Sequence, residues 1–157
     1  SEDKLLARVR HMAKALDCKW IILDHLSIVV SAQENNDERK AIDAIMTNLR
    51  TLVQELGIGL FLVSHLRRTQ GKPHEDGGKI SLSELRGSQA IAQLSDMVIG
   101  LERNQQDEDE DRRNTTTVRV LKNRYAGLTG PACYLKYDKF TSRMSEVAPP
   151  KDLDNDF

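Results

Sequence analysis

The sequence predicts an α/β fold: a partial parallel sheet flanked by helices, followed by an antiparallel C-terminal ribbon and a disordered acidic tail. Three observations predict it. The short runs Trp20–Leu23 and Ile58–Ser64 are almost wholly apolar, the pattern of strands buried on both faces of a parallel sheet. Between them, Ile42, Ile45, Met46, Leu49, Leu52, Val53 and Leu56 recur at helical spacing. Toward the C-terminus, Thr115–Leu121 and Ala132–Tyr137 carry β-branched residues and partial alternation, with Gly127, Gly130 and Pro131 between them.

Each element follows in order. Leu5, Leu6, Val9, Met12, Ala13 and Leu16 line one face of an amphipathic helix beginning near Asp3. Trp20–Leu23 is the first strand, ending in Asp24, and the polar stretch His25–Asn36 reads as a loop. Asp37 is a suitable N-cap for the long helix, and Gly57 closes it. With Ile58–Ser64 this makes a β-α-β crossover, right-handed in nearly all proteins. Arg67 to Lys79, with three glycines and a proline, is expected to be a mobile loop. Ser83–Leu94 is helical but interrupted at Gly87, and Met97–Leu101 is a third buried strand. The charge run Asp107–Arg113 reads as a solvated loop, and Ala148–Phe157, with two prolines and three aspartates, as disordered. The domain organisation is then residues 1–142 as one domain and 143–157 as the tail.

Composition narrows the function. The chain has 157 residues, 39% hydrophobic and 30% charged, with 23 basic against 24 acidic side chains. That excludes wholesale disorder and a polycation, so any nucleic-acid contact must be local. Cys18 and Cys133 lie in no zinc-spaced cluster and read as reduced thiols. No apolar run approaches the ~20 residues that span a bilayer, and Ser1-Glu2-Asp3 has no secretory character, so a soluble, cytoplasmic protein without membrane partners is expected. Neither a Gly-x-x-x-x-Gly-Lys-Ser/Thr loop nor a Gly-x-Gly-x-x-Gly after a strand occurs.

In open α/β sheets ligands bind beyond the carboxyl ends of the strands, here Asp24, His65 and Glu102-Arg103. A carboxylate at such an end is suited to Mg²⁺, the arrangement of a Walker B site, although a strand-end Asp also commonly just satisfies a turn. His65 is suited to hydrogen-bond a terminal phosphate, or is a plain surface imidazole. Arg67, Arg68, Lys72 and Lys79 cluster in one loop that can neutralise backbone phosphates. Arg86-Gly87-Ser88 either starts a new helix facing an anion or marks a kink. Lys122 and Arg124, two apart on a strand, would point to one face.

Taken in order, Trp20-Ile21-Ile22-Leu23-Asp24-His25, Leu62-Val63-Ser64-His65-Leu66, Glu84-Leu85-Arg86-Gly87-Ser88, Gln93-Leu94-Ser95-Asp96, Leu101-Glu102-Arg103-Asn104 and Leu121-Lys122-Asn123-Arg124 carry a resemblance. From about Leu5 to Tyr137 the chain resembles the C-terminal part of hexameric replicative DNA helicases with a RecA-like core. Within them it is most similar to the primase-helicases of short-tailed phages, relatives of mitochondrial twinkle and, more distantly, of DnaB. The resemblance implies a 5′-to-3′ type helicase driven by ATP or another NTP or dNTP with Mg²⁺. Asp24 is then the Walker B carboxylate, His65 the phosphate sensor (glutamine in DnaB relatives), Arg124 the arginine finger and Lys122 its assistant. Tyr137 would stack on the base, with Arg103 also at the nucleotide. Arg67, Arg68 and Lys72 would line the channel for single-stranded DNA, and Arg86 and Gln93 would link the nucleotide and DNA sites. Asp152, Asp154, Asp156 and Phe157 match a tail that docks on the replicative polymerase.

Two departures limit the transfer. The Walker A loop and catalytic glutamate lie upstream of Walker B in that family and are missing here, so the chain is expected to be catalytically incomplete alone. The acidic Asp107–Asp111 loop is longer than expected and argues against Arg112 and Arg113 as DNA contacts. The rival readings are a non-catalytic module that binds DNA and polymerase, and a RecA-type recombinase fragment.

Overall fold

The structure, a computed structural model, describes residues 2–26, 35–66, 73–85 and 89–150, with the side chains of 35–38 outside that description. It is a mixed α/β protein with a small parallel sheet, helices and a four-stranded antiparallel sheet, as expected. By internal contacts it divides into two compact units: 1–67 with 85–95, and 68–84 with 96–157.

In the first unit, α1 (Glu2–Lys14) precedes β1 (Trp20–Leu23), α2 (Asn35–Leu56), β2 (Gly59–Leu62) and α3 (Gln89–Leu94). Strands β1 and β2 are parallel, with Trp20 opposite Gly59 and Leu23 opposite Leu62, so the expected crossover is present. Helix α2 holds it: Ile42, Ile45, Met46, Leu49 and Leu52 are all buried, and the helix packs against both α1 and α3. It ends at Gly57, whose φ of +62° a residue with a Cβ rarely adopts. β2 is shorter than the Ile58–Ser64 run because only 59–62 stand in register opposite the four residues of β1.

The expectation of burial on both faces fails. Ile21 is buried, but Trp20 and Ile22 are 69% and 72% exposed, and Phe61 and Val63 are exposed beside them. Among the described residues the unit's helices cover one face only, so alternate side chains of these apolar strands stand in the open. The Trp20 ring lies 5.7 Å from that of Phe61 and occupies the space a Cβ at Gly59 would need.

In the second unit, a 3₁₀ turn (Leu82–Glu84) is followed by β3 (Met97–Glu102), α4 (Glu110–Arg113), β4 (Thr115–Asn123), β5 (Gly130–Asp138) and β6 (Arg143–Val147). The sheet order is β3-β4-β5-β6, antiparallel throughout. β3 therefore bonds to β4 and is not a third parallel strand, and its Met97, Ile99 and Leu101 are exposed. Strand β6 occupies 143–147, the start of the span assigned to the tail. The turn into it is held by Asp138, whose carboxylate accepts hydrogen bonds from the Phe140 and Thr141 amides. Residues 73–78, expected to be mobile, form a compact turn in which Pro73 O accepts from the amides of Asp76 and Gly78. No helix among the described residues is long and apolar enough to cross a membrane.

The contrast between the two faces is measurable. Leu49→Ala in the α2 core should cost about 2–5 kcal/mol of unfolding free energy, whereas Ile22→Ala should stay within about 0.5 kcal/mol. Urea titration of this chain checks both.

Candidate functional site

The first unit brings Asp24 and His65 to the same end of the parallel pair. Asp24 directly follows β1 and His65 stands three residues past the end of β2, and both are exposed. The ladder continues past the strands: the Val63 amide donates to Leu23 O (2.9 Å) and the Leu26 amide to Val63 O (3.1 Å). Leu26 is buried and anchors this return. Between the two lies His25, joined to Asp24 by a cis peptide, with its ring 4.3 Å from that of His65 at 79°. His25 is not among the predicted site residues: its ring contact is with a residue forty positions away, which local periodicity does not encode. Gln93 is exposed on α3.

Mg²⁺ fits this donor set only in one way. Among the described residues no three His, Cys, Asp or Glu side chains gather as a metal cage. A lone exposed carboxylate such as Asp24 suits an ion that keeps its waters and takes its remaining ligands from phosphate oxygens.

The second unit sorts its predicted residues to two ends of β4. Arg103 donates from Nε to Arg113 O (2.7 Å) and from Nη2 to Asn114 Oδ1 (3.4 Å). The Tyr137 amide donates to Asn114 O (2.9 Å), so Arg103 and Tyr137 meet at Asn114, just before β4. Asn114, another residue that the motifs did not reveal, also closes α4. Lys122 and Arg124 lie at the far end, roughly 26 Å away at about 3.3 Å per residue. The expected placement of both on one strand is corrected: Lys122 is in β4, but Arg124 begins the turn after it. There the Arg124 amide donates to Asp96 O (2.9 Å) and its guanidinium pairs with the Asp96 carboxylate (3.0 Å).

The charge run is not an unstructured loop. Asp109 caps α4 by accepting from the amides of Asp111 and Arg112, and those bonds hold its carboxyl below the usual carboxylate range. Arg112 pairs with Asp107, and Arg113 donates to Asp107 O, so these arginines build the loop. Nearby, Glu102 is part of a nearly buried pair with Arg119 (2.8 Å) and also accepts from the Ile80 amide (2.8 Å). Both line a cavity of about 230 Å³ that Arg103 and Tyr134 also face. Arg67, Arg68, Lys72 and Arg86, and the tail residues Asp152, Asp154, Asp156 and Phe157, lie outside the described residues.

The family expected from the motifs is the one that matches: the model of the DnaB-like helicase C terminal domain covers residues 1–146, and the chain belongs to that family. Among individual relatives, the DNA helicase/primase of Enterobacteria phage T3 is 48% identical over 140 residues, covering 88% of this chain and 24% of that protein. The replicative DNA helicase DnaB of Leifsonia xyli subsp. xyli is 26% identical over 150 residues, 93% of this chain and 31% of that protein. The chain thus spans between a quarter and a third of the length of these relatives.

Two outcomes test this geometry. Arg119→Ala strands the Glu102 carboxylate and should cost about 3–5 kcal/mol, while replacing both partners by leucine should cost much less; denaturant unfolding of the variants decides it. For Asp109, a folded pKa below the unfolded value of about 3.9 means the cap stabilises α4 fully above that pH. Amide protection at Asp111 and Arg112 should be lost as pH falls through the lower folded value, and Asp109→Ala should remove that dependence.

Proposed function

We propose that this chain is the portion of a ring-forming replicative DNA helicase that supplies part of each nucleotide site and of the DNA channel. The helicase would hydrolyse ATP or another NTP or dNTP with Mg²⁺, as a homo-hexamer drawing single-stranded DNA through its centre. The observation that carries the reading is the sorting of β4: Arg103 and Tyr137 share one end, and Arg124 stands roughly 26 Å off, beyond the reach of one nucleotide. A protomer so arranged serves two nucleotides, its own and its neighbour's.

In this reading Asp24 orients the hydrated Mg²⁺ on the triphosphate. His65, at the same sheet end, donates to the terminal phosphate and relays its loss to the loop holding Arg67, Arg68 and Lys72, which grip single-stranded DNA by its backbone. Arg86 and Gln93 couple the two sites. Tyr137 stacks on the base beside Arg103. Arg124 leaves Asp96 to neutralise charge developing on the neighbour's phosphate, with Lys122 assisting. The acidic tail, Asp152, Asp154, Asp156 and Phe157, engages the replicative polymerase. Without a P-loop and a catalytic glutamate the 157 residues do not turn over alone, because phosphate cradle and water activation are both lacking.

The test is a mixing experiment in a helicase that joins this stretch to a P-loop segment. Arg124→Ala should lower DNA-stimulated hydrolysis by about 10³-fold or more while nucleotide binding persists. Added to wild type, it should poison mixed rings more steeply than its mole fraction; loss in simple proportion to dilution removes the trans role.

A further inference from the structure

We infer that His25 is a positioning residue for His65, an inference that rests on the reading of His65 as the phosphate sensor. Three observations carry it. The His25 ring meets the His65 ring edge to face, with centroids 4.3 Å apart. His65 itself is exposed, so without a neighbour its imidazole would sample several rotamers. His25 is held from both sides: it lies two residues past the end of β1, and the next residue, Leu26, is buried and hydrogen-bonded through its amide to Val63 O, two residues before His65.

The buried Nδ1 of His25 has no hydrogen-bond partner among the described residues. Ring contact is therefore the interaction this side chain makes among the described residues, and its shape matters more than its nitrogens. An imidazole that must donate to a phosphate within hydrogen-bond range gains from a neighbour that removes the wrong rotamers beforehand, because the orienting entropy is then already spent. Such an aromatic pair is worth roughly 2- to 10-fold in an equilibrium or rate.

The test has two arms. In the 157-residue chain, the His65 ring proton resonances, displaced by the neighbouring ring current, should move to the position of a free imidazole in His25→Ala and stay displaced in His25→Phe. In a helicase carrying this stretch with a P-loop segment, His25→Ala should lower DNA-stimulated kcat roughly 2- to 10-fold with the nucleotide KM unchanged. His25→Phe should restore it, and on a His65→Ala background His25→Ala should add nothing. Losses that simply multiply in the double variant, or His65 resonances that do not move, overturn the positioning role alone. If His65→Ala leaves hydrolysis and its DNA stimulation intact, the sensor reading falls first and the positioning role with it.

Discussion

The constraint on which the rest depends is the crossover that α2 makes between β1 and β2, anchored by its packing against α1 and α3. A parallel pair has no tight hairpin to set its register; the crossover helix must do it. The buried row Ile42, Ile45, Met46, Leu49 and Leu52 fixes how α2 lies, and the strands it joins pair with Trp20 opposite Gly59 and Leu23 opposite Leu62. A slip of one residue would exchange Ile21 for an exposed neighbour and turn the whole strand over. Because the strands run the same way in that register, both end at one edge, and Asp24 and His65 emerge there as neighbours. Side chains from positions forty residues apart reach one sheet end through a crossover helix that contributes no predicted site residue itself.

The antiparallel sheet solves a different problem. Its long β4 separates two groups of predicted site residues, with Arg103 and Tyr137 gathered at Asn114 and Arg124 carried to the far turn. The acidic loop belongs to this arrangement. Asp109 caps α4, and α4 presents Arg113 O and Asn114 to Arg103. Charges that looked like a solvated run are the scaffold of one end of the sheet.

What was legible in the sequence had a short-range signature. The 3.6-residue period of α2, the apolar runs of β1 and β2, Gly57 at a helix end and the ordered motifs each betray themselves within a few residues. Strand direction was legible only where a crossover forced it; β3 was not, since its apolar run looks the same in a parallel or an antiparallel sheet. Burial was misjudged on Trp20, Ile22 and Phe61 because an apolar side chain records its own hydrophobicity and says nothing of whether a covering element lies within the same stretch of chain. His25 and Asn114 were invisible for a related reason: each matters through one contact with a distant segment.

Charge pairing distinguishes the cations that can act from those that hold the fold. Arg119 and Glu102 are 16% and 10% exposed, and removing either leaves a stranded charge at a cost of about 3–5 kcal/mol, so no passing phosphate can recruit that guanidinium. Arg112 and Arg113 are committed to the Asp107 loop. The pair of Arg124 with Asp96 is partly solvated at 42% and 30% exposure, its carboxylate more open than the Asp107 that holds Arg112 at 17%, and such a pair is worth at most about 1 kcal/mol. In the role proposed for Arg124, a phosphate bearing more charge would replace Asp96, which holds the guanidinium until then. An arginine finger, the role proposed for Arg124, needs a resting partner strong enough to hold it and weak enough to release it, and a carboxylate as open as Asp96 suits both requirements.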